Sequence, residues 1–189
     1  MIFFTSDTHF GHSNILKYCP GRDFTRIADH DEALIVHWNN TVGKDDIIYH
    51  LGDFGLMRGR KTVVKEYFRL VISRLNGKKV FIRGNHDQLF PQSMIDYVEL
   101  RIPDEEMDLK QRIVLMHFPL AIWNKSHHGS WHLHGHCHDT FPSDDNTSRL
   151  DVGVDTAIRL LGEPRPFSYE EVKEHMTKKV FKPIDHHGR

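Results

Sequence analysis

The chain has 189 residues, 39% of them hydrophobic and 27% charged, with a formal net charge of -1 when histidine is neutral. That length can bury a sizeable core, and the near-neutral balance excludes a strongly basic nucleic-acid scaffold while leaving room for a local basic patch. Two cysteines, Cys19 and Cys137, exclude a disulfide framework and predict a reducing compartment.

The elements are predicted in chain order. Ile2 to Thr5 is an apolar, β-prone run closed by Ser6-Asp7. A helix is expected from about Ala28 to Val42, with Leu34, Ile35 and Trp38 on one face. Ile47 to Leu51 reads as a buried strand closed by Gly52-Asp53. Val63, Val64, Tyr67, Phe68, Val71 and Leu75 recur at helical spacing, and Gly77 stands where a C-cap is expected. Lys79 to Ile82 is the next strand, ending at Arg83-Gly84-Asn85. This half reads as βαβαβ. Further on, Tyr97–Ile102, Arg112–His117, Trp131–His136 and Leu150–Val154 read as strands. Pro166 and a capping box from Ser168 to Glu171 announce a last helix. One domain is expected over 1–189, with a frayed tail from about 183. The opening apolar run is too short for a signal peptide, and no stretch nears the roughly 20 apolar residues of a membrane span. A cytoplasmic protein without membrane contact is expected.

The predicted strands end in chemistry. Asp7-Thr8-His9, Gly52-Asp53, Gly84-Asn85-His86-Asp87, Met116-His117 and Gly135-His136-Cys137-His138 follow successive strands. In parallel-rich α/β sheets ligands bind at the carboxyl ends of strands, so these groups are expected to converge. Sixteen histidines add weight, because imidazole is the commonest metal ligand. Side chains at i and i+2 of a strand share a face about 6.6 Å apart. Two such histidines can serve two metals about 3.5–4 Å apart, the spacing of two-metal hydrolytic sites. Asp53 is the natural bridging carboxylate, and the glycines at 52, 84 and 135 allow the backbone to turn or approach closely. A His, Asp and Asn set without thiolate suits Mn, Fe, Zn or Ni rather than copper or iron–sulfur chemistry.

These blocks, in this order, resemble the calcineurin-like metallophosphoesterase superfamily, in particular its compact stand-alone bacterial and phage members. They span residues 7 to 138. The resemblance implies an α/β (mixed α+β) fold, a four-layer αββα sandwich of two mixed β-sheets flanked by helices. It implies two divalent metal ions, Mn foremost. Asp7, His9, Asp53 and His138 would hold one; Asp53, Asn85, His117 and His136 would hold the other. A hydroxide between the metals would attack phosphorus in line, with His86 protonating the leaving oxygen; Asp53 and His86 are thus the expected catalytic residues. Asn85, His12 and Arg22 are expected at the substrate, a small or nucleotide-like phosphomonoester or phosphodiester.

The sequence also departs from the superfamily. Its protein phosphatases read GDxxDRG at the second block, where this chain has Leu56 and Met57 in place of the aspartate and arginine. That disfavours a protein phosphatase and leaves the partner of His86 open. The first block, Asp7-Thr-His-Phe-Gly-His12, also resembles the superfamily's DNA-repair nucleases, which are longer and carry a DNA-binding cap. A nuclease acting on nucleic-acid ends is therefore the enzymatic alternative, and a non-catalytic scaffold the remaining one, though neither a ligand nor the acid histidine is missing. Arg58, Arg60, Lys61 and Lys65 read as a solvated helix face with a weak nucleic-acid signal. Arg22 and Arg83 read as surface arginines unless they reach the phosphate. A dimer through an exposed apolar edge is open. His50 is expected as a hydrogen-bonded core residue, His37 as partly exposed, and His127 and His128 as loop residues. In Trp131-His-Leu-His-Gly-His-Cys-His138, His136 and His138 are the expected ligands and His134 an outer partner. His132 is too far up the strand, and the Cys137 thiol packs away.

Overall fold

The computed structural model describes residues 1–104, 109–141, 147–180 and 182; the tail expected to fray from about 183 lies outside them. Its elements in order are β1 (Ile2–Thr5), α1 (Ile15–Tyr18), α2 (Ile27–Thr41), β2 (Ile47–His50), α3 (Lys61–Arg74) and β3 (Lys78–Phe81). They continue with β4 (Val98–Asp104), β5 (Leu109–Leu115), β6 (Trp131–His134), β7 (Arg149–Asp151), α4 (Val154–Leu161), β8 (Phe167–Ser168) and α5 (Tyr169–Thr177).

Two mixed four-stranded sheets form, ordered β3-β2-β1-β8 and β4-β5-β6-β7. In the first, β1, β2 and β3 are parallel and β8 pairs antiparallel with β1. In the second, β4 is antiparallel to β5, and β5, β6 and β7 run parallel.

The alternation of β1 explains the layering. Phe3 faces α2 and α3, joining Leu34, Ile35, Trp38, Phe68 and Val71 in one core. Phe4 faces the other way, into the space between the sheets with Ile113, Leu115 and Leu133. Successive side chains of a strand point to opposite faces, so an unbroken apolar run marks a strand buried on both. α4 and α5 flank the sandwich and add Ala157, Tyr169, Val172 and Met176 to the inter-sheet core. The predicted αββα-type sandwich of two mixed sheets with helices is therefore the observed fold class. Among the described residues, no helix is long and apolar enough to cross a membrane.

Several boundaries differ from expectation. β6 stops at His134 rather than His136, and β7 stops at Asp151. Val154, expected at the end of a strand, opens α4, with Gly153 as N-cap and Gly162 closing the helix at φ 78°. The reason is a parallel bridge between Ser6 and Gly153, with Val154 N–H donating to the Ser6 carbonyl (3.2 Å). Those bonds turn the chain off the second sheet and tie it to the first. Gly77 is not the cap of α3; Leu75 is, and Gly77 lies two residues on at φ 87°.

The capping box of α5 is complete: Ser168 Oγ accepts from Glu171 N–H (3.2 Å), and Glu171 accepts from Ser168 N–H (2.9 Å). Chemical denaturation should separate the two kinds of contribution. Ser168→Ala is expected to cost about 1 kcal/mol. Phe4→Ala, which opens a void between the sheets, is expected to cost about 3–5 kcal/mol. Equal losses for the two would contradict the assigned layering.

Candidate metal centre

The carboxyl ends of β1, β2, β3, β5 and β6 lie together, and loops rather than strands present the polar groups. Asp7 N–H donates to the Gly52 carbonyl (2.9 Å), Gly135 N–H to the His117 carbonyl (2.9 Å) and His136 N–H to Asp7 Oδ2 (3.0 Å). These bonds stitch four of the five sequence blocks to one another. The fifth joins through His86, whose N–H donates to Asp53 Oδ1 (2.8 Å).

Among the described residues three groups of possible ligand atoms each lie within 4.8 Å: Asp7 with His9 and His138, Asp53 with His117 and His136, and, behind His138, Cys19 with His138 and Asp155; the first two hold the residues expected as ligands. Asp53 Oδ2 lies between these two, 3.7 Å from His9 Nε2 and 3.6 Å from His117 Nε2. Asn85 Oδ1 joins the second group, 3.1 Å from His117 Nε2 and 2.9 Å from His136 Nδ1. All seven residues expected from the sequence as ligands are thus brought together.

The donor set fits cations. Asp7 is fully buried, yet its Oδ1 has no hydrogen-bond partner. Such orphans are rare, because an unpaired buried carboxylate is costly. Burial pushes the Asp7 carboxyl up to about 8. In the tautomer that donates Nδ1–H to the Leu51 carbonyl (2.8 Å), His117 presents the Nε2 lone pair to Asn85 Oδ1 (3.1 Å). An acceptor facing an acceptor at that distance calls for a cation or a proton between them. Burial likewise holds His9 well below the usual imidazole range, so it is a neutral donor.

Residues 1–177 match the calcineurin-like phosphoesterase family. The chain belongs to that family. Among its relatives, an uncharacterised protein of Methanocaldococcus jannaschii is 37% identical over 162 residues, 83% of this chain and 82% of the relative. The Gene 66 protein of Mycobacterium phage D29 is 29% identical over 182 residues, covering 82% of this chain and 87% of that protein. A solved protein of unknown function from Aquifex aeolicus shares the fold, with a TM-score of 0.65 and 23% identity over 93% of this chain and 98% of that one. Calcineurin-like phosphoesterases in general hydrolyse phosphoesters with divalent metals, and the two ligand groups are the candidate positions for such ions here.

The backbone of the chain is bent at the candidate ligands. Asp7, His9, Asp53, His136 and His138 all have positive φ, between 48° and 70°, five of the seven non-glycine residues so placed among those described. Each such residue costs about 1–3 kcal/mol and persists only where its surroundings over-determine it. The strand expected to run to His136 stops at His134, and a loop with left-handed residues carries His136 and His138. Close approach supplies the rest of the fit. A Cβ on Gly135 would lie 2.4 Å from Asp7 Oδ2, and one on Gly84 would lie 2.2 Å from Asp53 Oδ1.

Other expectations are corrected. Arg22 is neither a surface residue nor free to bind a substrate phosphate: it is buried, and its guanidinium is fully engaged. Nε and Nη2 donate to Asp155 (2.8 and 2.7 Å), Nη2 also to the Asp7 carbonyl (2.7 Å), and Nη1 to the Thr8 carbonyl (3.3 Å) with His30 Nε2 at 3.4 Å. Arg58 does not lie on a helix face; it precedes α3 and lines the recess over the candidate metal ligands. Arg83 is exposed and pairs with Asp96 (3.2 Å). His12 stands beside the centre, its Nδ1 3.3 Å from His9 Nδ1. His86 is 39% exposed at the mouth, its Nε2 3.9 Å from Asp53 Oδ2. Asp87 points away from it, accepting from the N–H groups of Asp53, Phe54 and Gly84.

Sequence reasoning missed Asp155, which lies on α4, a helix not expected from the sequence and whose first residue, Val154, was read as a strand end. Its Oδ2 accepts from His138 Nδ1 (2.7 Å) and aims Nε2 at Asp7. Burial opposes a charge on His138, but the hydrogen bonds to Asp155 and Cys19 and the Asp7 charge carry its pKa up to about 10. The missed signal was the spacing of Val154, Ala157, Ile158 and Leu161 before Gly162. Carboxylates behind ligating histidines set ring orientation, and their loss typically weakens metal binding about 10–100-fold. Asp155→Asn is expected to do so in metal titrations while His117→Ala weakens the other position. An Asp155→Asn protein that binds metal as tightly as the native chain would remove Asp155 from this role.

Proposed function

We propose that the chain is a binuclear-metal phosphoesterase acting on small or nucleotide-like phosphoesters. The carrying observation is the pair of ligand groups on either side of Asp53, with Asp7 Oδ1 buried and unpartnered beside them. Asp7, His9, Asp53 and His138 would hold one cation; Asp53, Asn85, His117 and His136 the other. Manganese is the first choice, with iron, zinc and nickel compatible with the same donors. When bound, the cations would supply Lewis acidity toward the phosphate and an activated water at neutral pH.

The chain's own residues do the remaining work. His86 Nε2 stands at the open face, where it can hand a proton to the leaving oxygen, while its N–H bond to Asp53 keeps it at the centre. His12 lies beside it, ring centroids 6.3 Å apart, in reach of the same phosphate or leaving group. Asp53 fixes both halves of the site at once. Phe118 packs on His117 and His136, centroids 4.9 and 4.7 Å away.

Metal analysis and hydrolysis of bis-p-nitrophenyl phosphate and p-nitrophenyl phosphate with added Mn²⁺ test the proposal. Two metals per chain and turnover of at least one ester are expected. Fewer than two metals at saturation, or inertness on both esters and on nucleotides with every metal tried, defeats it. His86→Ala should keep both metals and lose about 10²–10⁴-fold in turnover of esters with poor leaving groups. Unchanged turnover would take the proton-donor role away from His86.

A further inference from the structure

Two recesses meet over the metal ligands. One, of about 620 Å³, is lined by His9, His86, His136 and His138. The other, of about 740 Å³, runs off past Ile27, Ala28, Met57 and Tyr67. His12, Asn14, Leu56 and Arg58 line both, so the two form one trough with Arg58 as the cation at their junction. Both volumes fall within the usual range for small-molecule sites, about 300–1,000 Å³.

Arg58 is held there by its neighbours and left open by its charge. Gly55 bridges Phe10, and Leu56 N–H donates to the Phe10 carbonyl (3.2 Å), fixing this segment against the loop that carries His9 and His12. Arg22, Arg74, Arg83, Arg159 and Arg165 each face a carboxylate. Arg58 is exposed and has no such partner among the described residues. A guanidinium suits the bidentate geometry of phosphate. Beyond it, the second recess combines apolar walls with the polar Ser13 and Asn14, a mixture that fits a nucleoside's base and hydroxyls, while Asp31 in its floor is already engaged by Gly11 N–H, Tyr67 OH and His30.

We propose that the second recess receives a nucleoside substituent and that Arg58 grips a second phosphate, while the first phosphate sits at the metal ligands. This rests on the phosphoesterase reading and narrows it. The substrate class becomes a phosphodiester with another phosphate one nucleoside away, the chemistry of a nucleic-acid end.

The probes are thymidine 3′,5′-bisphosphate and the two thymidine monophosphates, each tested as an inhibitor of bis-p-nitrophenyl phosphate hydrolysis. The native protein should bind the bisphosphate at least about tenfold more tightly than either monophosphate, the usual scale of a hydrogen bond to a charged group. In Arg58→Ala the gap should close, and in Arg58→Lys, which keeps the charge without the fork, part of it should remain. Equal inhibition by bisphosphate and monophosphates in the native protein overturns the proposal. So does a gap that survives in Arg58→Ala with its metal content intact. If the native protein hydrolyses no ester, the enzyme reading fails by itself. Calorimetric binding of the same compounds to the same variants then decides the Arg58 site separately.

Discussion

The carboxylate of Asp7 is the constraint on which the site depends. It is buried where the end of β1 meets the loop after β6, one oxygen bonded by Ser6 Oγ (2.6 Å) and His136 N–H, the other bare. Removing a charge from water costs several kcal/mol unless something pairs with it. The surrounding structure holds it there all the same. Arg22 grips its carbonyl, the bare α-carbon of Gly135 lets the facing loop approach, and its own backbone adopts φ 55°. Two well-packed cores, one under α2 and α3 and one between the sheets, supply the rigidity that keeps five left-handed candidate ligand residues in place.

The row of histidines from 132 to 138 shows how position changes the role of one side chain. His132 and His134 sit on β6 itself, buried, with burial lowering their pKa to about 3 and about 4. They are neutral, hydrogen-bonded to the carbonyls of Val114 and Gly135 respectively, and serve the second sheet. His136 and His138 lie past the strand end, where the loop turns them to the ligand groups. Cys137 stays outside both groups, burial raising its thiol to about 11, so it is a poor source of thiolate.

A polar chain continues behind the centre. Tyr67 OH donates to Asp31, which also accepts from Gly11 N–H (2.8 Å) and from His30 Nδ1 (2.8 Å). His30 meets Arg22, Arg22 meets Asp155, and Asp155 meets His138. The floor of the second recess and a candidate metal ligand therefore share one buried network, and fully satisfied networks of this kind rigidify the groups they join. His50 is the core residue expected, its Nε2 paired with Thr8 Oγ1 (2.9 Å) while its buried Nδ1 has no hydrogen-bond partner.

The sequence by itself determined the βαβαβ half and the capping box of α5, because these depend on local periodicity and hydrogen bonding, while the layering was expected only from the family resemblance. It also pointed to the seven residues that converge, through the strand-end blocks and the family they resemble, although the blocks follow strands of two different sheets. Only the tertiary structure decided how they are aimed. The left-handed backbone at Asp7, His9, Asp53, His136 and His138 is imposed by contacts between distant segments, and no residue type there announces it. The same holds for Arg22, which reads as a surface cation until Asp155, a residue 133 positions away, closes over its guanidinium. Arg58 is the opposite case. Its spacing suggested a solvated helix face, and the junction of two recesses placed it over the ligands, because pairing of Gly55 with Phe10 holds that segment beside the site before α3 begins.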